Sequence, residues 1–293
     1  CRFASKIPLN PIGCGFEVSL GAMALGLGMM MMASCGSKGV KSVQAEAESQ
    51  AAETATELLS FDSILVDTAT TIVSGKDTLR GTVHIQLMLA KGPGADAVND
   101  SILQSGIFMP EYMPQDTKGM TAAQQVHAYA KNFLAGYLAD VNGMKKQGVE
   151  LFPTFSYSYE LTSQVDQNQQ DSLANYLVSG YVYMGGAHGS SISVARNFDI
   201  HTGKQLDKQG LLRPEGEKPV TDMVYQGIVK SLGSEAANLK DMLFFGEKPY
   251  LTGNFLVQPD TITFIYQTDE IAPHACGEFR IPLSKKSLQQ YLK

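Results

Sequence analysis

The stretch LANYLVSGYVYMGGAHGSSISVARNFDI, residues 173–200, decides the fold class. Its two ends, residues 173–184 and 191–200, are rich in the aromatic and β-branched residues that suit a pleated surface, so each reads as a strand. Between them lies Gly185-Gly186-Ala187-His188-Gly189, where small residues supply the left-handed backbone that a reversal needs. A hairpin or an arch is expected, with His188 in its Gly-rich link.

Working outward, the same strand logic applies to Thr82-Val83-His84-Ile85-Gln86-Leu87-Met88-Leu89, whose alternation puts Val83, Ile85, Leu87 and Leu89 on one face. Lys91-Gly92-Pro93-Gly94 then breaks the pattern. Residues 151–161 alternate as well, with Pro153 near the start of the expected strand, where a missing amide is tolerated. Two further strands are expected at 255–257 and 261–266 across the turn Gln258-Pro259-Asp260, and a last one at 277–281.

Helical periodicity appears at two places. Val126, Tyr129, Phe133, Tyr137 and Val141 recur three or four residues apart within 122–144, and Val220, Met223, Val224, Ile228 and Leu232 do so within 219–232. Pro219 suits a first helical turn, and Ser284 suits the cap of a short helix ending near Leu292. Strands and helices mixed without a strict βαβ rhythm imply an α+β fold: a mixed or antiparallel sheet with packed helices. Two intimately associated subdomains are expected, at 58–165 and 171–293.

The first 34 residues differ in kind. Their only charges are Arg2, Lys6 and Glu17, and the apolar run that follows, from Ser19 to Ala33, is shorter than the roughly 20 residues needed to span a bilayer. It ends in Met32-Ala33-Ser34-Cys35-Gly36, where small residues before a cysteine resemble a lipobox. The expectation is a signal peptide at 1–34, cleavage before Cys35, and lipid on its thiol. Residues 35–57, rich in Ser, Ala, Gln and Glu, are then a flexible tether.

Of the four cysteines, Cys1 and Cys14 would leave with the signal, so Cys276 would have no thiol to pair with outside the cytoplasm. The expected location is the bacterial cell envelope, anchored by acyl chains that each stabilise by about 0.8 kcal/mol per buried methylene. With 23 basic against 29 acidic residues and no basic run, nucleic acid is excluded as a partner.

Several motifs in order carry a resemblance. Tyr181 to Gly189, then Asn197-Phe198-Asp199, Thr202-Gly203-Lys204 and Leu211-Leu212 are followed by Asn254-Phe255, Tyr266, Ile271-Ala272-Pro273-His274-Ala275-Cys276-Gly277 and Ile281-Pro282-Leu283. Together they resemble the C-terminal domain shared by RsiV-type anti-sigma factors and PdaC-type peptidoglycan deacetylases, over about 171–293. The resemblance implies an extracytoplasmic recognition module, with a lysozyme-like protein or peptidoglycan as partner. This sequence shows neither a sigma-binding segment with a membrane helix nor a metal-dependent deacetylase domain, so anti-sigma activity and deacetylation are not expected of it.

The candidate ligand-binding residues are Gly185, Gly186, His188, Asp199 and His274. Against this stands a plainer reading, in which the glycines supply positive φ, His188 hydrogen-bonds within its turn, and Asp199 steadies the turn that ends at Gly203. No catalytic residue is assigned. Ser190 and Ser191 follow His188 without a nucleophile elbow, and His188, His201 and His274 match no familiar metal-ligand spacing, so neither a metal nor a cofactor is expected. Cys276 reads as a small buried hydrophobe, and Tyr157, Tyr159, Tyr181 and Tyr183 as core or strand-pair residues that could alternatively stack on sugars. The rival to a binding module is a hydrolase acting on cell-wall material around His188 and Asp199.

Overall fold

A computed structural model describes residues 57–293 of the chain. The expected signal segment, Cys35 and the tether up to residue 56 lie outside the described residues. The first hairpin joins β1 (Ser60–Ser74) to β2 (Asp77–Lys91). Its two-residue loop places Gly75 at φ 61°, the left-handed first position of a tight hairpin turn. In β2 the expected alternation holds, with Val83, Ile85, Leu87 and Leu89 buried. The strand stops at Lys91, where the Gly-Pro-Gly break falls.

Two helices follow, α1 (Ala95–Leu103) and α2 (Ala122–Lys146). Thr121 starts α2 with a reciprocal capping box: its side chain accepts from the Gln124 amide, and the Gln124 side chain accepts from the Thr121 amide. Val126, Tyr129, Phe133, Tyr137 and Val141 are all fully buried, so the helical period read from the sequence is the face that meets the sheet. These helices form the long crossover that a parallel strand pair requires. Accordingly β3 (Tyr157–Asn168) lies parallel to β2, and β4 (Leu173–Met184) and β5 (Ser190–Asp199) continue antiparallel. The sheet order is β1-β2-β3-β4-β5. The expected boundary at 165–171 falls in the β3–β4 hairpin, so strands from both sides of it share one sheet.

The rest of the chain packs around a second core. It contains α3 (Lys208–Leu211), α4 (Glu217–Ser231), α5 (Ala236–Leu239) and the antiparallel sheet β6 (Phe255–Val257), β7 (Thr261–Tyr266), β8 (Phe279–Ser284), followed by α6 (Lys285–Leu288). Val224 and Ile228 of α4 pack with Phe264 and Ile281 of this sheet. Gly227 permits the close approach, since a Cβ there would lie 2.4 Å from Ile281 Cγ2. A five-stranded mixed sheet and a three-stranded antiparallel sheet, each with helices, make the fold α+β.

Three expectations shift. The strand expected at 151–161 begins only at Tyr157, because Pro153 opens a single 3-10 turn over Pro153–Phe155. The last strand runs Phe279–Ser284 rather than 277–281, since Gly277 sits at φ 68° and ends a turn, while Pro282 is tolerated on an edge strand. Ser284 does cap a helix, accepting from the Ser287 amide, but that helix spans only Lys285–Leu288 before the chain turns. The expectations do not include β1, a sheet-edge strand whose burial alternates too weakly to declare itself, nor the short helices α1, α3 and α5.

Candidate functional site

The Gly-rich loop between β4 and β5 is held by tyrosines of the strand before it. The Tyr183 hydroxyl lies 3.0 Å from the Thr154 carbonyl and 2.9 Å from that of Gly186, while the Gly189 amide donates to the Tyr181 hydroxyl at 3.0 Å. Gly185 and Gly186 have φ of 84° and 95°, the region that side chains disfavour. Gly189 is glycine for a different reason: a Cβ would lie 2.4 Å from both the Tyr181 ring and the Val182 carbonyl. Pinned at these points, the loop leaves His188 exposed.

His188 meets a residue from the other motif block. Its ring stacks on that of His274, with centroids 4.2 Å apart and planes 28° from parallel. His274 belongs to the turn between β7 and β8, and its Nδ1 lies 2.8 Å from Asp269 Oδ2. That contact places the Nδ1 proton toward the carboxylate, and among the described residues Nε2 has no hydrogen-bond partner. Gly185, Gly186, His188 and His274 are therefore one surface feature, assembled from segments far apart in sequence.

Asp199 is not part of it. It ends β5, and nine residue steps at about 3.3 Å place it roughly 30 Å from the loop at the other end. Asp199 Oδ1 accepts from the Thr202 hydroxyl at 2.7 Å and from the amides of Thr202 and His201 at 2.8 and 3.1 Å. The Thr202 hydroxyl is the main reason that its carboxyl is held below the usual carboxylate range, with the two amides adding to it against a desolvation that opposes. Gly203, at φ 70°, completes this turn. These side-chain hydrogen bonds are those of the plainer reading, in which Asp199 steadies the turn that ends at Gly203. His201 lies in the same turn, and among the described residues no group of three or more His, Cys, Asp or Glu is placed to hold a metal ion.

What the sequence reading missed is the outer edge of β5, where the second half of the chain joins the large sheet. Asn254 grips this edge as a peptide would: its Oδ1 accepts from the Ala195 amide at 2.6 Å and its Nδ2 donates to the Ser193 carbonyl at 2.9 Å. Gln267 Oε1 accepts from the Ser193 amide at 3.1 Å. Asn197 does the same toward β6, donating to the Phe255 carbonyl at 2.9 Å and accepting from the Val257 amide at 2.9 Å. Side-chain amides carry both a donor and an acceptor, so they satisfy an edge strand that would otherwise expose unpaired backbone. Two of the recognised motifs, Asn197-Phe198-Asp199 and Asn254-Phe255, are therefore joints of the fold.

Residues 209–286 match a family described as a protein of unknown function, DUF3298. The matched segment runs from α3 through α4 and β6–β8 and includes His274, whereas His188 lies before it. The chain is also similar to the crystal structure of a DUF3298 member from Bacteroides fragilis NCTC 9343, with 23% identity and a TM-score of 0.64 over 81% of this chain and 95% of that one. A DUF3298 protein from Pseudomonas aeruginosa PAO1 is similar at 17% identity and a TM-score of 0.52, over 80% of this chain and 95% of that one. At these identities the likeness is one of fold. No curated protein matches the sequence.

Proposed function

We propose that this protein is a recognition module held at the bacterial cell envelope by lipid on Cys35, and that the surface carrying His188 and His274 meets its ligand. The observation that supports this reading is the ring stack at 4.2 Å, which joins two exposed loops from separate motif blocks. Exposed imidazoles on a pinned loop offer flat, hydrogen-bonding surface at little entropic cost, as interface residues do. The ligand classes are those implied by the resemblance to RsiV-type and PdaC-type proteins: a lysozyme-like protein or peptidoglycan. Among the described residues no helix is long and apolar enough to cross a membrane, and anchoring in this reading comes from the acyl chains alone.

The full chain in detergent is expected to bind immobilised lysozyme or sediment with purified peptidoglycan saturably, and His188→Ala and His274→Ala are each expected to weaken that binding. Equal binding by wild type and both variants sinks the site. A Cys35→Ser variant is expected to leave the membrane fraction, and its retention there sinks the anchor.

One observation favours a second reading, an envelope hydrolase. An imidazole oriented by a carboxylate through Nδ1, as His274 is by Asp269, has the arrangement of a general base. If so, purified peptidoglycan incubated with the protein releases fragments, and Asp269→Asn stops the release.

A further inference from the structure

Arg196 occupies an unusual place in the sheet. It lies on β5 between Val194 and Phe198, both of which are buried in the main core, so its stem runs along an apolar face. Burial alone lowers its pKa below the ordinary guanidinium value. Its Nη1 donates to the neighbouring Ala195 carbonyl at 2.8 Å, and among the described residues it forms no ion pair. A half-buried cation without a carboxylate costs the fold free energy that an incoming anion would recover.

Arg196 lines a polar cleft of about 500 Å3, together with Gln205, Asp207, Lys208, Asn254 and Glu270. The charge of Lys208 is already taken, since its Nζ lies 2.6 Å from Glu217 Oε1 and 3.2 Å from the Leu251 carbonyl. Among the described residues Arg196 is then the cation of the cleft that no carboxylate pairs with. On the opposite side of the balance, Asp207 and Glu270 present carboxylate oxygens. Glu270 is fixed in place by accepting from the Tyr250 hydroxyl at 2.9 Å and the Gln267 amide at 2.8 Å. A simple inorganic anion would meet these two carboxylates unfavourably, whereas a molecule bearing O–H or N–H groups beside its carboxylate would satisfy both walls.

We propose that this cleft binds a small carboxylate-bearing ligand rich in hydroxyl or amide donors, an acid sugar or a peptide C-terminus, with Arg196 holding the carboxylate. This site goes beyond the histidine surface and uses none of its residues. The two sources share the carboxylate and differ in what surrounds it.

Four probes titrated against the full chain by calorimetry separate them: N-acetylmuramic acid with its neutral counterpart N-acetylglucosamine, and N-acetyl-D-alanyl-D-alanine with its C-terminal amide. In at least one pair the acid is expected to bind about tenfold or more tightly than the neutral partner, the scale of a charge-assisted hydrogen bond. Arg196→Gln is expected to erase that preference, Arg196→Lys to retain part of it, and His188→Ala to leave it unchanged, which separates failure here from failure of the histidine surface. The proposal is overturned if neither acid binds more tightly than its neutral partner in the wild type, or if a folded Arg196→Gln variant keeps the preference.

Discussion

Asn175 Nδ2 donates to Asn197 Oδ1 at 2.7 Å, and the two residues are direct cross-strand partners in β4 and β5. The bond orients the Asn197 amide so that its other contacts reach the backbone of β6 on both sides of Leu256. Removing the side chain in Asn197→Ala leaves the Phe255 carbonyl, the Val257 amide and the Asn175 amide without their partners in a buried place. Each orphaned group costs about 1–3 kcal/mol, reduced where the cavity admits water, so a loss of about 3 kcal/mol is expected in urea denaturation. Asn197→Asp is expected to cost at least as much, because a carboxylate cannot donate to Phe255. A loss below about 1 kcal/mol in either variant would show that the joint is held elsewhere.

The loop glycines separate two kinds of constraint. Gly186 has a positive φ with nothing within 4 Å of an added Cβ, while Gly189 has no room for one. Gly186→Ala is therefore expected to cost about 1 kcal/mol of backbone strain. Gly189→Ala must displace Tyr181, break the hydrogen bond that pins the loop, and cost about 2 kcal/mol or more. Thermal melts give the order, and the tyrosine displacement should be visible as changed His188 and His274 ring resonances in Gly189→Ala only.

Asp199 yields a pH prediction. Its folded-state carboxyl is held below the ordinary value of 3.8, chiefly by the Thr202 hydroxyl. A depressed folded pKa means that the charged form contributes stability above the unfolded value, and that this contribution disappears as pH falls through the folded one. Asn at this position keeps an acceptor for the turn but never carries the charge. Asp199→Asn is thus expected to be less stable than wild type at neutral pH, with the two melting curves converging once the pH is well below 3.8. A gap of constant size across that range would show that the charge contributes nothing.

The parts of the fold legible in the sequence were those where one apolar face dictates a period. In α2, five residues spaced three or four apart are all buried, and in β2 four alternating residues are. The joints between elements were illegible because polar residues make them. Asn254 and Gln267 look like turn or surface residues in a linear reading, and only the fold brings their amides onto the β5 edge, while Asn175 meets Asn197 only once β4 and β5 pair. The parallel pairing of β2 with β3 was hidden for a different reason, since hydrophobic alternation does not encode strand direction. Of the candidate site, His188 and His274 were both singled out, yet nothing in the spacing places one ring on the other. Arg196 was overlooked because a lone arginine in an apolar strand ordinarily snorkels to solvent.

Tyr137 offers a test of how tightly α2 meets β2. Its ring sits over Gly81, where a Cβ would lie 2.5 Å from Cδ1, so the glycine in β2 exists to admit the aromatic. Leu79, Val141 and Leu151 close around it, and among the described residues its buried hydroxyl has no hydrogen-bond partner. Burial accordingly raises its pKa. An orphan hydroxyl loses its hydration on folding and gains nothing in return, while the ring provides all the packing. Tyr137→Phe is therefore expected to raise stability by about 1 kcal/mol, and Gly81→Ala to lower it by about 1–3 kcal/mol through overpacking. Should Tyr137→Phe instead destabilise, the hydroxyl has a partner in solution, and the most direct candidate is a buried water bridging α2 to the sheet.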